Sequence, residues 1–225
     1  MSGEFTSASD FTMDWDRGAR TGVPEAVLCD AKTPAQIEAI LAEARAGGRR
    51  LLLTRLSIES HERLSAGVRD GLDYDPLSRT AILGTVDALP SPIGIVAAGT
   101  SDLPVAREAQ RSLAFCGHDA AIIADVGVAG LWRLTARLDE IRRCRIVIAV
   151  AGMEGALFSV LGGLVAAPVI AVPSSVGYGV AAGGHAALTS ALASCAPGVV
   201  TVNIDNGFGA AMAALKMLGP PEKGG

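Results

Sequence analysis

The chain has 225 residues, of which 50% are hydrophobic and 19% charged, and its formal net charge is -4 at pH 7. This length and apolar content allow a buried core for one large domain or two smaller ones. The acidic balance, and the lack of Lys/Arg clusters interleaved with aromatic residues, argue against a nucleic-acid partner. The four cysteines are scattered without a CxxC pair and no secretory leader precedes them. We therefore expect a cytoplasmic protein without disulfides or structural zinc.

Residues 146–172 form a run that is nearly all apolar, with Glu154 as its one charge, and is long enough to suggest a membrane span. Gly152, Pro168 and Pro173 divide this run into pieces with the lengths of buried strands and helices. We therefore expect no membrane segment.

The first part of the chain, residues 1–88, predicts a small α+β domain. Residues 1–11 are rich in Ser and Thr and predict a frayed end. Thr33, followed by proline, predicts the N-cap of a helix, and a short strand "RLLLT" comes next. Ser57 predicts the cap of a second helix over "SIESHERLSAG". The stretch "LDYDPLSRTAILG" predicts two extended strands around a turn at Asp75.

The second part, residues 89–225, follows a linker "DALPSP" and alternates strand and helix signals. The predicted strands are 93–98, 120–125, 145–151, 169–172 and 199–204, and the predicted helices are 102–115, 129–142, 154–165, 181–194 and 207–218. Nearly continuous apolar strands separated by helices indicate an α/β domain with a doubly wound parallel sheet. Ligands of such folds bind at the carboxyl ends of the strands.

The loop after the first of these strands reads "AAGTSD". Gly99 permits a tight turn, while Thr100, Ser101 and Asp102 offer hydroxyls, a carboxylate and exposed amides at a helix start. This pattern fits a phosphate cradle. Simple capping of the helix is an equally good interpretation.

The loop after the third strand reads "AGMEGAL" and includes Gly152, Met153 and Glu154. We expect Glu154 at the start of a helix and against an apolar wall. A helix N-terminus lowers the pKa of a carboxyl group and burial raises it, a tension that is typical of a general acid or base. Alternatively, Glu154 only complements the helix dipole.

The loop after the fourth strand, "VPSSVGYG", is polar and Gly-rich, which suits close approach of a ligand. Its candidate binding residues are Ser174, Ser175, Gly177 and Tyr178. The following helix is predicted to contain His185, which we interpret as a core or surface residue rather than a catalyst.

Cys195 is predicted to end that helix, where the carbonyl field disfavours a thiolate. From the residues alone, Cys195 is interpreted as a buried packing residue, and a reactive role requires a suitable neighbour. After the last strand, "NIDNGFGAA" presents Asn203, Asp205 and Asn206 to a ligand, although Asp205 or Asn206 could simply be an N-cap. Asp125 ends the second strand and is a further candidate.

The motifs "VAAGTSDLPVAREA", "DVGVAGLWRL", "AGMEGAL", "GGLVAAPVIAVPSSVGYG" and "NIDNGFGAA" occur in one order. In this set the chain resembles the LarB family, which makes pyridinium-3,5-biscarboxylic acid mononucleotide for the nickel-pincer nucleotide cofactor. The C-terminal half also resembles the PurE family of aminoimidazole ribonucleotide carboxylases, whose "GSxSD" loop is matched here at Ser101 and Asp102. Ala156 stands where PurE enzymes carry a histidine. Phe158 stands where LarB sequences usually have proline.

The resemblance implies an enzyme that carboxylates C5 of the pyridinium ring of nicotinic acid adenine dinucleotide and releases AMP. It implies that Cys195 is the nucleophile and Glu154 the base. Carbon dioxide or bicarbonate is the co-substrate, and a divalent cation such as Mg²⁺, bound to substrate phosphates and one or two carboxylates, would assist phosphoanhydride cleavage. Asp102, Asp125 and Asp205 are the candidate carboxylates. The PurE resemblance also implies a homo-oligomer, with an octamer as the expected form.

Two alternatives stay open at this point. One is a PurE-like carboxylase or mutase, which Ala156 disfavours. The other is a nucleotide-binding module without catalysis, for which replacing Cys195 by serine would have no effect.

Overall fold

The structure is a computed structural model that describes residues 11–219, so the predicted frayed segment, residues 1–11, lies outside it except for Phe11. Within the described range the helices are α1 (Arg17–Thr21), α2 (Pro34–Ala46), α3 (Ile58–Glu62), α4 (Ala66–Arg69), α5 (Leu103–Phe115), α6 (Leu131–Ala136), α7 (Leu138–Ile141), α8 (Ala156–Leu164), α9 (His185–Leu192) and α10 (Gly207–Leu218). The strands are β1 (Ala26–Leu28), β2 (Leu51–Thr54), β3 (Leu72–Asp75), β4 (Thr80–Leu83), β5 (Leu89–Pro90), β6 (Ile93–Ala97), β7 (His118–Asp119), β8 (Ile122–Ile123), β9 (Ile146–Ala151), β10 (Val169–Pro173) and β11 (Val199–Thr201). Short 3₁₀ turns cover Thr100–Asp102, Val128–Gly130 and Gly179–Gly184.

The N-terminal part forms a four-stranded mixed sheet in the order β1-β2-β4-β3, with β1 and β2 parallel and the other pairs antiparallel. Helix α2 begins as predicted: the Thr33 hydroxyl accepts from the Gln36 amide at 3.3 Å, and the Gln36 side chain accepts from the Thr33 amide at 3.0 Å. Its buried face, which includes Ile37 and Leu41, packs on the sheet residues Leu51 and Leu53. This unit therefore has its own apolar core.

The C-terminal part confirms the predicted α/β class. Its five-stranded sheet has the order β11-β10-β9-β6-β8, and every pair is parallel. Alternating residues of β9 point to opposite faces, as strand geometry requires. Ile148 and Val150 pack in the core beneath α5 and α10, whereas Val147 and Ala149 pack with α8 and α9. Helices therefore cover both faces of the sheet.

The two parts meet along α5, which lies against the N-terminal sheet. Arg107 forms a 2.6 Å ion pair with Asp75. Buried Arg111 donates from Nε to the Thr80 hydroxyl at 2.7 Å and from Nη2 to the Asp73 carbonyl at 2.6 Å. These bonds satisfy a guanidinium that burial would otherwise make costly. The boundary that we predict at residue 88 falls between β4 and β5 and stays a prediction.

Three of the predicted helices were wrong in extent. The helix predicted at 129–142 is two short helices, α6 and α7, separated at Arg137. The helix predicted at 154–165 begins only at Ala156, because Gly155 adopts a left-handed φ of 65°. The helix predicted at 181–194 begins at His185 and ends at Leu192, since two left-handed glycines interrupt its first part.

Other elements were shorter than predicted or were not foreseen. The second helix of the N-terminal part is split into α3 and α4, although the Ser57 cap is confirmed by a 3.1 Å bond from the Ser60 amide. Strand β8 covers only Ile122–Ile123, and β11 ends at Thr201. We did not predict β1 or the small β5–β7 pair. These short strands lack the long apolar runs that make a strand recognisable in sequence.

Among residues 11–219, no helix combines the length and the apolar character that a membrane crossing requires.

Candidate functional site

The carboxyl ends of the parallel strands bring four of the predicted loops together. The Asp102 carboxylate accepts from the Gly99 amide at 2.9 Å with one oxygen and from the Ser174 hydroxyl at 2.5 Å with the other. Asp102 and Ser174 are both buried. The first loop is therefore bonded to the fourth across the sheet edge, although β9 separates their strands.

A second set of bonds joins the loop after β10 to the loop after β11. The Asp205 carboxylate accepts from the Ser175 amide at 2.8 Å, and the Asp205 amide donates to the Pro173 carbonyl at 2.8 Å. Arg55, from the N-terminal part, donates to the Asp205 carbonyl at 3.1 Å. The loop after β11 is therefore held by residues from both parts of the chain.

Three non-glycine residues at these strand ends have left-handed backbones: Asp125 with φ 58°, Met153 with φ 52° and Asp205 with φ 52°. Such conformations are uncommon for residues with a Cβ and cost free energy. Observed strain of this kind clusters at binding and catalytic sites, where the surrounding structure maintains it. Three strained residues at one sheet edge therefore mark this edge as the candidate site.

Gly152 allows the loop after β9 to approach the loop after β10 closely. A Cβ at this position would lie 2.2 Å from the Val176 carbonyl oxygen and 2.8 Å from the Ser174 hydroxyl oxygen. The neighbouring Met153 amide donates to the same Val176 carbonyl at 2.8 Å. Because no side chain fits at position 152, the "AGMEGAL" motif has a physical need for glycine there.

Glu154 lies in the turn between β9 and α8, beside left-handed Met153 and Gly155. Two expectations were wrong: Glu154 precedes the helix instead of starting it, and its side chain is exposed instead of lying against an apolar wall. The apolar contact with the core is made by Phe158, which is fully buried in the first turn of α8. Glu154 is therefore free to reach a ligand above the sheet edge.

Cys195 belongs to none of these loops and lies in the segment that leads from α9 into β11. Its expected place at the helix end was wrong, because α9 ends at Leu192, and so was the packing interpretation, because Cys195 is exposed. The adjacent Ser194 hydroxyl lies 2.8 Å from the Ser159 hydroxyl in the first turn of α8. This contact therefore places the segment that carries Cys195 beside the first turn of α8, and Glu154 lies two residues before that helix.

Several predicted binding residues leave hydroxyls free at the rim. Among the described residues, the Thr100, Ser101 and Ser175 hydroxyls make no hydrogen bond, in contrast to the buried Ser174 hydroxyl. Tyr178 is 77% exposed and stands in the open rim. These side chains can bond a ligand without losing a protein partner.

The remaining predicted residues have structural partners. Asn206 accepts from the Gly209 amide at 2.7 Å and is the N-cap of α10, as one interpretation foresaw. The Asn203 side chain accepts from the Ile204 amide at 2.9 Å. Asp125 pairs with Arg133 at 2.6 Å. His185 is the first residue of α9 and is exposed.

These carboxylates do not form a metal site of their own. Asp102 is bonded to Gly99 and Ser174, Asp125 to Arg133 and Asp205 to Ser175. No group of three or more His, Cys, Asp or Glu side chains within residues 11–219 could hold a metal ion. The residues present therefore do not fit a resident divalent cation, and we derive no step through one.

Two cavities adjoin the contact between the two parts of the chain. The larger, about 950 Å³, is lined by residues including Arg49, Phe115 and Lys216, and none of the predicted site residues line it. The smaller, about 170 Å³, is lined by Ser101, Ser175 and Asp205 together with residues of the N-terminal part. Because only the smaller cavity opens beside the strained loops, we assign it to the candidate site.

Arg55 and Arg79 also line this smaller cavity, and neither was among the predicted site residues. Arg55 follows β2 and Arg79 precedes β4, so both lie at one end of the N-terminal sheet. The signal that could have found them is the strand-end rule, which we applied only to the C-terminal sheet. A single arginine beside a short strand is a weak signal on its own.

Comparison with known proteins shows which class of protein has this fold and site. Residues 92–223 match the family model described as AIR carboxylase, and residues 5–85 match the model described as LarB/PurE-like N-terminal domain. The fold and the strand-end site therefore define an AIR carboxylase-type, PurE-like protein. The chain belongs to the LarB-like proteins, which combine that N-terminal domain with a PurE-like C-terminal domain.

A relative supports the same architecture along most of the chain. The chain is 39% identical over 214 residues to uncharacterized protein MJ0165 of Methanocaldococcus jannaschii, with 90% of this chain and 81% of the relative covered. The matched domains support a carboxylase-type enzyme. The substrate has to be inferred from the residues of the site.

Proposed function

We propose that this protein carboxylates C5 of the pyridinium ring of nicotinic acid adenine dinucleotide and hydrolyses its phosphoanhydride. The products are pyridinium-3,5-biscarboxylic acid mononucleotide and AMP. The proposal rests on the LarB-like architecture and on the chemistry of Cys195 and Glu154.

The exposure of Cys195 is the strongest structural support. Burial raises the pKa of the Cys29 thiol to about 12 and of the Cys116 thiol to about 11, and it also raises the pKa of Cys144. Those thiols are poor nucleophiles at neutral pH, because the thiolate is the reactive form. Cys195 alone of the four cysteines is exposed.

A pyridinium ring is too electron-poor for C5 to attack carbon dioxide directly. Addition of the Cys195 thiolate to C4 forms a C–S bond and converts the ring to an enamine-like system, in which C5 is nucleophilic. C5 then forms a C–C bond to carbon dioxide. Loss of the C5 proton to a base restores the C4–C5 double bond and expels the thiolate, so the ring is aromatic again.

We assign Glu154 as the base that accepts the C5 proton. Its support is its position in a strained turn at the strand edge and its exposure to any ligand bound there. The positive charge of the bound ring favours the thiolate of Cys195, because opposite charges stabilise the ionised form. Substrate binding and nucleophile activation are therefore coupled.

The strand-edge loops supply the groups for substrate binding. The free hydroxyls of Thr100, Ser101 and Ser175 are suited to phosphate or ribose oxygens. Carbon dioxide or bicarbonate is the co-substrate. We propose that a divalent cation such as Mg²⁺ arrives with the substrate phosphates, because the protein carboxylates do not form a site for it.

We propose that the protein works as a homo-oligomer, and specifically as an octamer. Large apolar side chains are exposed in α6 and in the segment after β10: Trp132 at 73%, Tyr178 at 77% and Val180 at 100%. Exposed apolar groups of this size favour a protein contact. A second copy of the chain is the partner that the PurE-like architecture suggests.

The experiment is mass spectrometry of reactions containing purified protein, nicotinic acid adenine dinucleotide, bicarbonate and magnesium. Wild type, Cys195→Ser and Glu154→Gln are compared, with Cys144→Ser as the matched control because Cys144 is half-buried and lies outside the site. We expect AMP and the dicarboxylated mononucleotide from wild type and the control only. The two site variants should lose at least about a thousandfold in rate.

Other outcomes point elsewhere. If no carboxylated product forms under any condition, the proposed function is wrong. If Cys195→Ser is as active as wild type, the covalent mechanism is wrong. Binding of the dinucleotide without turnover by wild type would favour the non-catalytic nucleotide-binding module.

A further inference from the structure

The smaller cavity joins the two parts of the chain beside the candidate site. Its walls include Arg55, Arg79 and Ser78 from the N-terminal part and Ser101 and Ser175 from the strand-edge loops. Its volume of about 170 Å³ is well below the several hundred Å³ of pockets that enclose a whole drug-sized ligand. The cavity therefore suits one small group at the end or middle of a larger molecule.

Arg55 and Arg79 lie close together at the cavity, as their backbone conformations and one backbone hydrogen bond show. Arg55 and Arg79 have left-handed φ values of 54° and 53°, and the Leu56 amide donates to the Arg79 carbonyl at 2.8 Å. The two strained residues therefore lie in neighbouring chain segments at one end of the N-terminal sheet, joined through the Leu56 amide. Leu56, which follows Arg55, is buried in the core of the N-terminal part, whereas the Arg79 side chain is exposed and lines the cavity.

The arginines at the contact between the two parts differ in how they are used. Arg107 pairs with Asp75, Arg111 donates to Thr80 and Asp73, and Arg55 donates to the Asp205 carbonyl. The Arg79 guanidinium makes no hydrogen bond or ion pair with any described residue. It is exposed and lines the cavity, so its donors are available to a ligand.

The carboxylates near the cavity are occupied by backbone donors. Glu108 is buried at 6% exposure in the cavity wall and accepts from the Gly207 amide at 2.9 Å. The Asp205 carboxylate accepts from the Ser175 amide. The cavity wall therefore presents guanidinium and hydroxyl donors, while the two carboxylates that line it, Glu108 and Asp205, each already accept a backbone hydrogen bond.

We propose that this cavity binds an oxyanionic group of the substrate, a phosphate or a carboxylate, through Arg79 and Arg55 with the Ser101 and Ser175 hydroxyls. The inference rests on the proposed function for the identity of the substrate. It gives the N-terminal part a direct role, because half of the anion site belongs to it. Guanidinium groups suit such ligands, since their planar donors match the oxygens of phosphate and carboxylate.

The test is isothermal titration calorimetry of the full-length chain with nicotinic acid mononucleotide and nicotinamide mononucleotide. The two probes share a phosphate, and only the first has a ring carboxylate. Arg79→Gln removes the charge but keeps a side chain of similar length at the left-handed position, so the backbone strain is unchanged. Arg63→Gln is the matched control, because Arg63 is exposed in the same part of the chain and does not line the cavity.

We expect Arg79→Gln to weaken binding about tenfold to a hundredfold, the usual effect of a lost charge-assisted hydrogen bond. Arg63→Gln should bind within twofold of wild type. If Arg79→Gln binds both mononucleotides more weakly than wild type, the bound group is the phosphate. If it binds only nicotinic acid mononucleotide more weakly, the bound group is the ring carboxylate. Arg79→Lys keeps the positive charge but lacks the planar guanidinium donors, so its affinity should lie between those of wild type and Arg79→Gln.

Equal binding of both probes by Arg79→Gln and wild type would overturn the inference, as would failure of wild type to bind either probe. Turnover assays separate this failure from that of the proposed function. If wild type converts the dinucleotide while Arg79→Gln has an unchanged KM, the anion site is wrong and the function stands. If the mononucleotides bind through Arg79 but no carboxylated product forms, the site stands and the function is wrong.

Discussion

The Ser174 hydroxyl donates to the Asp102 carboxylate at 2.5 Å and so connects the loops after β10 and β6. Both residues are buried, so a missing partner is not replaced freely by water. We expect Ser174→Ala to lower the free energy of unfolding by about 1–3 kcal/mol, because it leaves an acceptor of Asp102 unsatisfied. Urea unfolding followed by circular dichroism measures this.

Ser175→Ala is the control for that substitution. Ser175 is the next residue, but it is exposed and its hydroxyl makes no hydrogen bond with described residues. Its unfolding free energy should lie within about 0.5 kcal/mol of wild type. An equal decrease in the free energy of unfolding of both variants would mean that the Ser174–Asp102 hydrogen bond does not stabilise the fold.

Replacing Gly152 by alanine should distort the strand-edge loops. The added Cβ would lie 2.2 Å from the Val176 carbonyl oxygen, so a loop must shift, and we expect a loss of about 1–3 kcal/mol in stability. Gly163→Ala is the matched control within the same segment, because a Cβ there meets nothing within 4 Å and the position is helical. That variant should gain about 0.5–1 kcal/mol. Thermal unfolding of the pair distinguishes the close contact from a general intolerance of alanine.

Alkylation should follow the exposure of the thiols. At about pH 8 we expect iodoacetamide to modify Cys195 first, because it is exposed. Cys29 should react only on unfolding, since burial raises its pKa to about 12. Peptide mass spectrometry at timed intervals gives the order. Faster modification of Cys116 than of Cys195 would contradict the assignment of the accessible thiol.

Burial raises the pKa of Glu108, with the charge of Arg55 opposing the shift. A carboxyl group with a raised pKa in the folded state holds its proton more tightly there than in the unfolded chain. The free energy of unfolding should therefore fall as pH rises from the ordinary carboxyl range through the folded pKa. Glu108→Gln cannot ionise and should lack this part of the pH dependence. Urea unfolding between about pH 4 and about pH 8 tests it, and parallel curves for both proteins would contradict it.

The proposed oligomer makes a prediction about Trp132. Its side chain is 73% exposed, so in a monomer Trp132→Glu should be nearly neutral. If the side chain lies in a subunit contact, the buried charge should weaken assembly. We expect light scattering after size exclusion to show an octamer for wild type and for Trp132→Phe, and smaller species for Trp132→Glu. Identical masses for all three would place Trp132 outside the contact.

Much of the fold was predictable because its signals are local. The core strands β6, β9 and β10 are continuous apolar runs, and α2 and α10 have clear starts, so their positions were predicted to within a residue or two. The late starts of α8 and α9 depend on the left-handed glycines 155, 183 and 184. Composition does not reveal whether a glycine in a helical pattern is helical or left-handed, which is why those helices were predicted too long.

The site was predictable only as far as the strand-end rule reaches. That rule located Asp102, Ser174 and Asp205 at one edge. It did not predict which of them would bond to each other, because pairing depends on the strand order of the sheet. It also says nothing of Arg55, which comes from a different sheet and touches the edge only through tertiary packing.

Because Asp125, Met153 and Asp205 have left-handed backbones, selection for stability and selection for activity should act differently on these positions. Glycine would relieve about 1–2 kcal/mol of steric cost at each, but at Asp125 and Asp205 it would also remove the bonds to Arg133 and Ser175, so a library screened for heat resistance should enrich glycine only at position 153. A library screened for turnover should reject glycine at all three positions, because each change removes a side chain at the rim of the site. Sequencing both libraries would map the strand-end site without any knowledge of the substrate.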